Sequence, residues 1–147
     1  MGRLFAVFLA LAAFAFADQN DSSSNKATPE QMKATAAKLG LPKGTIQLTP
    51  CVPGMGEHWA DPENLPFGPI YGVAEGEVVF VEIMIAQEDF TAGKSWTGVL
   101  MPAEGYAADH VDIEFEPAGH EGYEIPHYDV HAYFVSHVNH AGFCPPG

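Results

Sequence analysis

The stretch Glu77-Val78-Val79-Phe80-Val81-Glu82-Ile83-Met84-Ile85 decides the fold of this 147-residue chain. β-Branched and aromatic residues dominate it, so it reads as a strand running from Gly76 to Gln87. It is apolar on both faces, which places it at the centre of a sheet. Glu82 breaks the pattern, because it shares a strand face with Val78, Phe80 and Met84. A carboxylate on a buried apolar face is costly unless it is paired, hydrogen-bonded or bound to a cation.

Two further strands are legible downstream. His110 to Glu116 alternates, which predicts Val111, Ile113 and Phe115 facing in and His110, Asp112, Glu114 and Glu116 facing out. Pro117 to Gly122 turns the chain into Ile125-Pro126-His127-Tyr128-Asp129-Val130-His131-Ala132-Tyr133-Phe134-Val135, and the two strands read as a long hairpin. Trp96 to Met101 reads as another strand, and Glu88 to Lys94 as a helical turn. Upstream, Leu48 to Gly72 holds five prolines and four glycines and reads as an ordered loop. Thr28-Pro29-Glu30-Gln31 starts a helix with a capping box, and Gly40 stops it. The fold expected is mainly β (α+β), an antiparallel small barrel or sandwich with one short N-terminal helix. Residues 28–147 form its single domain, with the helix at 28–40 and the β core at 48–144.

Residues 1–17 read as a secretory signal: Arg3, an apolar run from Leu4 to Phe16 too short to span a bilayer, then Ala15-Phe16-Ala17 for cleavage. A polar leader, 18–27, follows. Removing Arg3 leaves 5 Lys and Arg against 19 Asp and Glu, a net charge of −14. After Lys43 the only cationic side chain of this kind is Lys94. Such a surface repels phosphate backbones and anionic lipid, which argues against nucleic-acid binding and, after cleavage, against membrane insertion. It draws cations toward a cleft. A secreted or periplasmic location follows, and there the two cysteines, Cys51 and Cys144, read as a disulfide. A homo-oligomer is compatible with the sequence.

The chemistry sits with histidine and carboxylate. His127, Asp129 and His131 point to one face of their strand. Residues two apart lie about 6.6 Å from each other and can share an ion, whereas His127 and His131 lie roughly 13 Å apart on a regular strand. His58 sits in the loop Cys51-Val52-Pro53-Gly54-Met55-Gly56-Glu57-His58-Trp59, rigid enough to present one ligand. Glu82 needs a positive or donating partner, and Lys and Arg are scarce. His58, Glu82, His127, Asp129 and His131 are therefore the candidate metal site, with the nitrogen and oxygen ligands that zinc and similar divalent ions accept. Binding is expected to weaken below about pH 6, near the ordinary imidazole pKa of about 6.5. Hydrogen bonds from loop amides, Tyr or Trp to Glu82 are the plainer alternative. His110, His120, His137 and His140 read as exposed and solvated. No nucleophile elbow, phosphate loop or nucleotide fingerprint is present.

The order of motifs Pro53-Gly54-Met55-Gly56 with His58-Trp59, Gly68-Pro69-Ile70-Tyr71-Gly72, the central strand with Glu82, and Pro126-His127-Tyr128-Asp129-Val130-His131 resembles an uncharacterised family of exported bacterial proteins. The resemblance spans about residues 50–136 and marks His58, Glu82, His127, Asp129 and His131 as signature positions. It implies no activity, catalytic residue or ligand. Three readings stay open: an exported domain binding a divalent metal or small ligand, a metal-dependent hydrolase or lyase using metal-bound water, and a structural or envelope-interaction domain without metal.

Overall fold

The computed structural model describes residues 27–145; the expected signal peptide and all but the last residue of the leader lie outside the described residues. Helix α1 (Pro29–Lys38) begins as the sequence predicts. Thr28 Oγ1 accepts from the Gln31 amide, Gln31 Oε1 accepts from the Thr28 amide, and Pro29 occupies the first turn. Gly40 follows with φ +73°, a conformation that suits glycine.

Among the described residues, six strands form one antiparallel sheet: β1 (Ile46–Gln47), β2 (Glu57–Ala60), β3 (Ile70–Ala74), β4 (Glu77–Ala86), β5 (His110–Glu116) and β6 (His127–Tyr133), in the order β1-β2-β3-β4-β6-β5. The mainly β, antiparallel expectation holds. The sheet is open, however, with β1 and β5 as its edges, so it is neither a barrel nor a two-sheet sandwich. β4 is interior as its sequence requires, and all of it beyond Glu77 is buried. The expected loop at 48–72 also contains β2 and the start of β3, because its short strands lie between the prolines and glycines that dominate its composition. The expected strand at Trp96–Met101 is absent. That segment is a loop whose Trp96, Val99 and Leu100 pack on Ile83, Ile85 and Val130, so its apolar residues reflect burial rather than pairing. The helical turn appears as α2 (Gln87–Thr91).

The two faces of the sheet differ sharply. Trp59, Tyr71, Val81 and Ala132 lie on one face and pack with Ala36 of α1. The opposite face carries His58, Phe80, Glu82, Asp129, His131 and Tyr133, with Asp112 and Glu114 of β5 in register beside them. The alternation in β5 therefore runs opposite to its sequence reading. His110, Asp112 and Glu114 face this polar cluster, while Val111, Ile113 and Phe115 are 52%, 65% and 42% exposed. The sheet's polar face decides the matter: β5 pairs with β6 at the sheet edge, and register places its charged residues beside His131 and Asp129. The hairpin between β5 and β6 is as expected.

A disulfide joins Cys51 to Cys144, Cα atoms 5.8 Å apart. It anchors the C-terminal end beyond helix α3 (His137–His140) to the loop ahead of β2. Closing a loop of this span contributes about 4 to 5 kcal/mol in the chain-entropy description.

Candidate metal centre

Strand pairing brings Glu82 opposite His131 on β4 and β6, and two steps across the sheet β2 presents His58. Glu82 Oε1 lies 3.6 Å from His131 Nε2, and Glu82 Oε2 lies 3.9 Å from His58 Nε2. These separations are too long for hydrogen bonds. They are close to the roughly 3.4 Å between ligands of a tetrahedral ion with bonds of about 2.1 Å. Glu82 is 4% exposed and His131 fully buried, and neither ring nitrogen of His131 has a hydrogen-bond partner among the described residues. The walls are apolar. Phe80 meets His58 and His131 edge-on, with ring centroids 5.4 and 5.0 Å away. Phe80 itself lies against Gly72, where a Cβ would run into the Phe80 ring, so the glycine makes room for the wall.

Second contacts orient His58. Thr49 Oγ1 accepts from the His58 amide and sits 3.1 Å from His58 Nδ1, which turns Nε2 toward Glu82. Burial dominates the electrostatics. It pushes Glu82 up to about 8, helped by the negative charges of Asp129 and Glu114. Burial lowers both His58 and His131 to about 4. Both imidazoles are thus neutral at pH 7 and able to donate lone pairs, and the proton that competes with a cation sits on Glu82. Burial therefore removes the ordinary imidazole pKa of about 6.5 from His58 and His131.

The remaining two signature residues lie in a neighbouring cluster. His127 Nε2 is 3.0 Å from Asp129 Oδ1 and 3.1 Å from His120 Nε2. His127 Nδ1–H donates to the Ile125 carbonyl at 2.7 Å, and His120 Nδ1–H to the Glu121 carbonyl at 3.2 Å. With each Nδ1 turned to a carbonyl, it is Nε2 of both rings that faces the Asp129 carboxylate. Burial raises the Asp129 pKa, against the pull of the two histidines. The five expected residues thus converge as two groups, His58/Glu82/His131 and His127/Asp129, with His120 added to the second. The extended spacing of His127 and His131 keeps them in separate groups.

A third group joins His110, Asp112, His137 and His140. All seven histidines of the chain fall in these three clusters. Reading the four remaining histidines as exposed fails for His140, which is 8% exposed, and for half-buried His110. It holds for the side chains of His120 and His137, 43% and 73% exposed. The missed signal was the charged face of β5, whose histidine and aspartate lie two apart on one side.

A family model described as TTHB210-like, hypothetical protein TTHB210, matches residues 73–115, a span that includes Glu82, His110 and Asp112. Among solved structures, the crystal structure of hypothetical protein TTHB210 from Thermus thermophilus is similar, with a TM-score of 0.54 and 26% identity. The likeness covers 61% of this chain and 86% of that one. No curated protein matches the sequence. Both similarities point to a family of uncharacterised proteins, in keeping with the sequence resemblance.

Proposed function

We propose that this protein is an exported domain that binds a divalent metal, zinc foremost, on His58, Glu82 and His131. The observation that carries the reading is Glu82. It is a buried carboxylate with two neutral imidazoles aimed at it at 3.6 and 3.9 Å, and neither forms a hydrogen bond with it. A cation among the three atoms would satisfy the carboxylate and the free His131 lone pair together. The set of two histidines and one glutamate is one that zinc accepts. His127, Asp129 and His120 form an adjoining set with the same ligand chemistry. Sulfur plays no part, because both cysteines are committed to the disulfide.

Three protein ligands leave one coordination position vacant, and that observation favours a second reading: a metal-dependent hydrolase or lyase in which the ion would supply an activated water. Export to a secreted or periplasmic location rests on the Arg3 to Ala17 segment and agrees with the disulfide. Among the described residues no helix is long and apolar enough to cross a membrane.

The test is a zinc titration of the chelator-stripped mature chain. Wild type should bind with an affinity that Glu82→Gln and His131→Ala each reduce by more than about 100-fold at one site, the outcome expected when a direct ligand is lost. Unchanged zinc isotherms in both variants would leave the metal-free structural reading as the better account.

A further inference from the structure

We propose that His110, Asp112, His137 and His140 form a second, closed metal site that clasps the C-terminal helix α3 to the edge strand β5. Asp112 Oδ2 is the hub. It lies 3.8 Å from His110 Nε2 and 3.9 Å from both His137 Nδ1 and His140 Nε2. His137 Nδ1 and His140 Nε2 are 2.9 Å apart.

The outward contacts of two rings fix which nitrogens face in. His110 Nδ1–H donates to the Asp109 carboxylate at 3.0 Å, and His140 Nδ1–H donates to the Gly54 carbonyl at 3.0 Å. With Nδ1 so committed, Nε2 of each ring points into the cluster and carries the lone pair a cation would take. Carboxylate or carbonyl behind, lone pair in front, is the arrangement that metal-bound histidines adopt. His110 Nε2 is buried and has no hydrogen-bond partner among the described residues. His137 Nδ1 is within hydrogen-bond distance of His140 Nε2 alone among the other three ligands, which leaves Asp112 Oδ2 and His110 Nε2 facing the cluster unpaired. One ion satisfies all four ligand atoms.

The donor set differs from that of His58, Glu82 and His131. Three histidines and an aspartate complete a tetrahedral shell by themselves, the pattern of a structural rather than a catalytic zinc site. The fold supplies a use for it. β5 lies at the edge of the sheet beside β6, and its outer face is exposed. α3 has only four residues and is held at Gly54 by His140 and, just beyond the helix, by the Phe143 carbonyl, next to the disulfide. An ion on these ligands would cross-link the sheet edge to this C-terminal segment.

The test uses the full mature chain, stripped by chelator, with zinc alone as the probe. His137 is mostly exposed, so His137→Ala should fold, and Asp112→Asn serves as the second variant. Each should weaken one zinc equivalent at least tenfold, whereas Glu82→Gln should retain it. Zinc should slow amide exchange at residues 110–112 and 137–140 in wild type and Glu82→Gln but not in His137→Ala. Wild-type zinc isotherms in both His137→Ala and Asp112→Asn would overturn the proposal, even if Glu82→Gln lost an equivalent. Loss in those two variants with none in Glu82→Gln would uphold it and count against the His58/Glu82/His131 site instead.

Discussion

Glu82→Gln separates the carboxylate's charge from its shape. In the metal-free protein burial raises the Glu82 pKa from an ordinary 4.5 to about 8. A group with a raised folded pKa holds its proton more tightly when folded. Its ionisation therefore subtracts stability as pH rises from the unfolded value through the folded one. The full difference corresponds to roughly 5 kcal/mol, of which roughly 1 is lost at pH 5, roughly 3 at pH 7 and roughly 4 at pH 8. Glutamine mimics the protonated acid and removes this penalty. The metal-free variant should thus exceed wild type by about 3 kcal/mol at pH 7, and the gap should widen toward pH 8 and nearly close by pH 5. His58 and His131 titrate in both proteins and drop out of the difference. Urea denaturation in chelator at the three pH values measures it. Zinc at about 100 times its wild-type dissociation constant should then add about 2.7 kcal/mol to wild type and no more than about 0.4 kcal/mol to the variant, offsetting most of the gap at pH 7. A variant less stable than metal-free wild type at pH 8, or one stabilised by zinc as much as wild type, would refute the reasoning.

Zinc binding at pH 7 should release close to one proton per ion at the Glu82 site, since Glu82 is largely protonated there and the two imidazoles are not. Calorimetry in buffers of different ionisation enthalpy counts that proton; no release would contradict the assignment. Affinity at this site should rise about tenfold per pH unit up to about pH 8 and then level off, rather than break near pH 6. Gly72→Ala should cost about 1 to 3 kcal/mol through the clash with Phe80 and should also weaken zinc binding, read by thermal melts with and without the metal. Removing the Cys51–Cys144 bridge by a double Cys→Ser change should cost about 4 kcal/mol, seen as a lower urea midpoint. An unshifted midpoint would mean the bridge constrains little.

Local pattern was enough to identify the centre of the fold and half of the site. β4 reads as a buried strand because its apolar residues cover both faces, and Glu82 stands out there because a carboxylate on such a strand must find a partner. Thr28 and Gln31 announced the helix start because capping is a contact three residues long. The Cys51–Cys144 pair was legible from the even count and the signal-like N-terminal sequence. Long-range register decided the rest. Alternation in β5 shows that two faces differ but not which one turns toward the histidines; pairing with β6 settled that, with His110 and Asp112 on the side of the histidine clusters and Val111, Ile113 and Phe115 exposed. The apolar loop at Trp96 to Leu100 resembled a strand because burial, not hydrogen bonding, set its composition. His140 looked like a terminal, solvated residue until the disulfide and the Gly54 carbonyl brought α3 against the sheet. Sequence proximity cannot reveal a ligand set drawn from β2, β4, β5, β6 and α3. Those side chains meet only when the strands pair and the bridge closes, and their lowered and raised pKa values arise only once that packing excludes water.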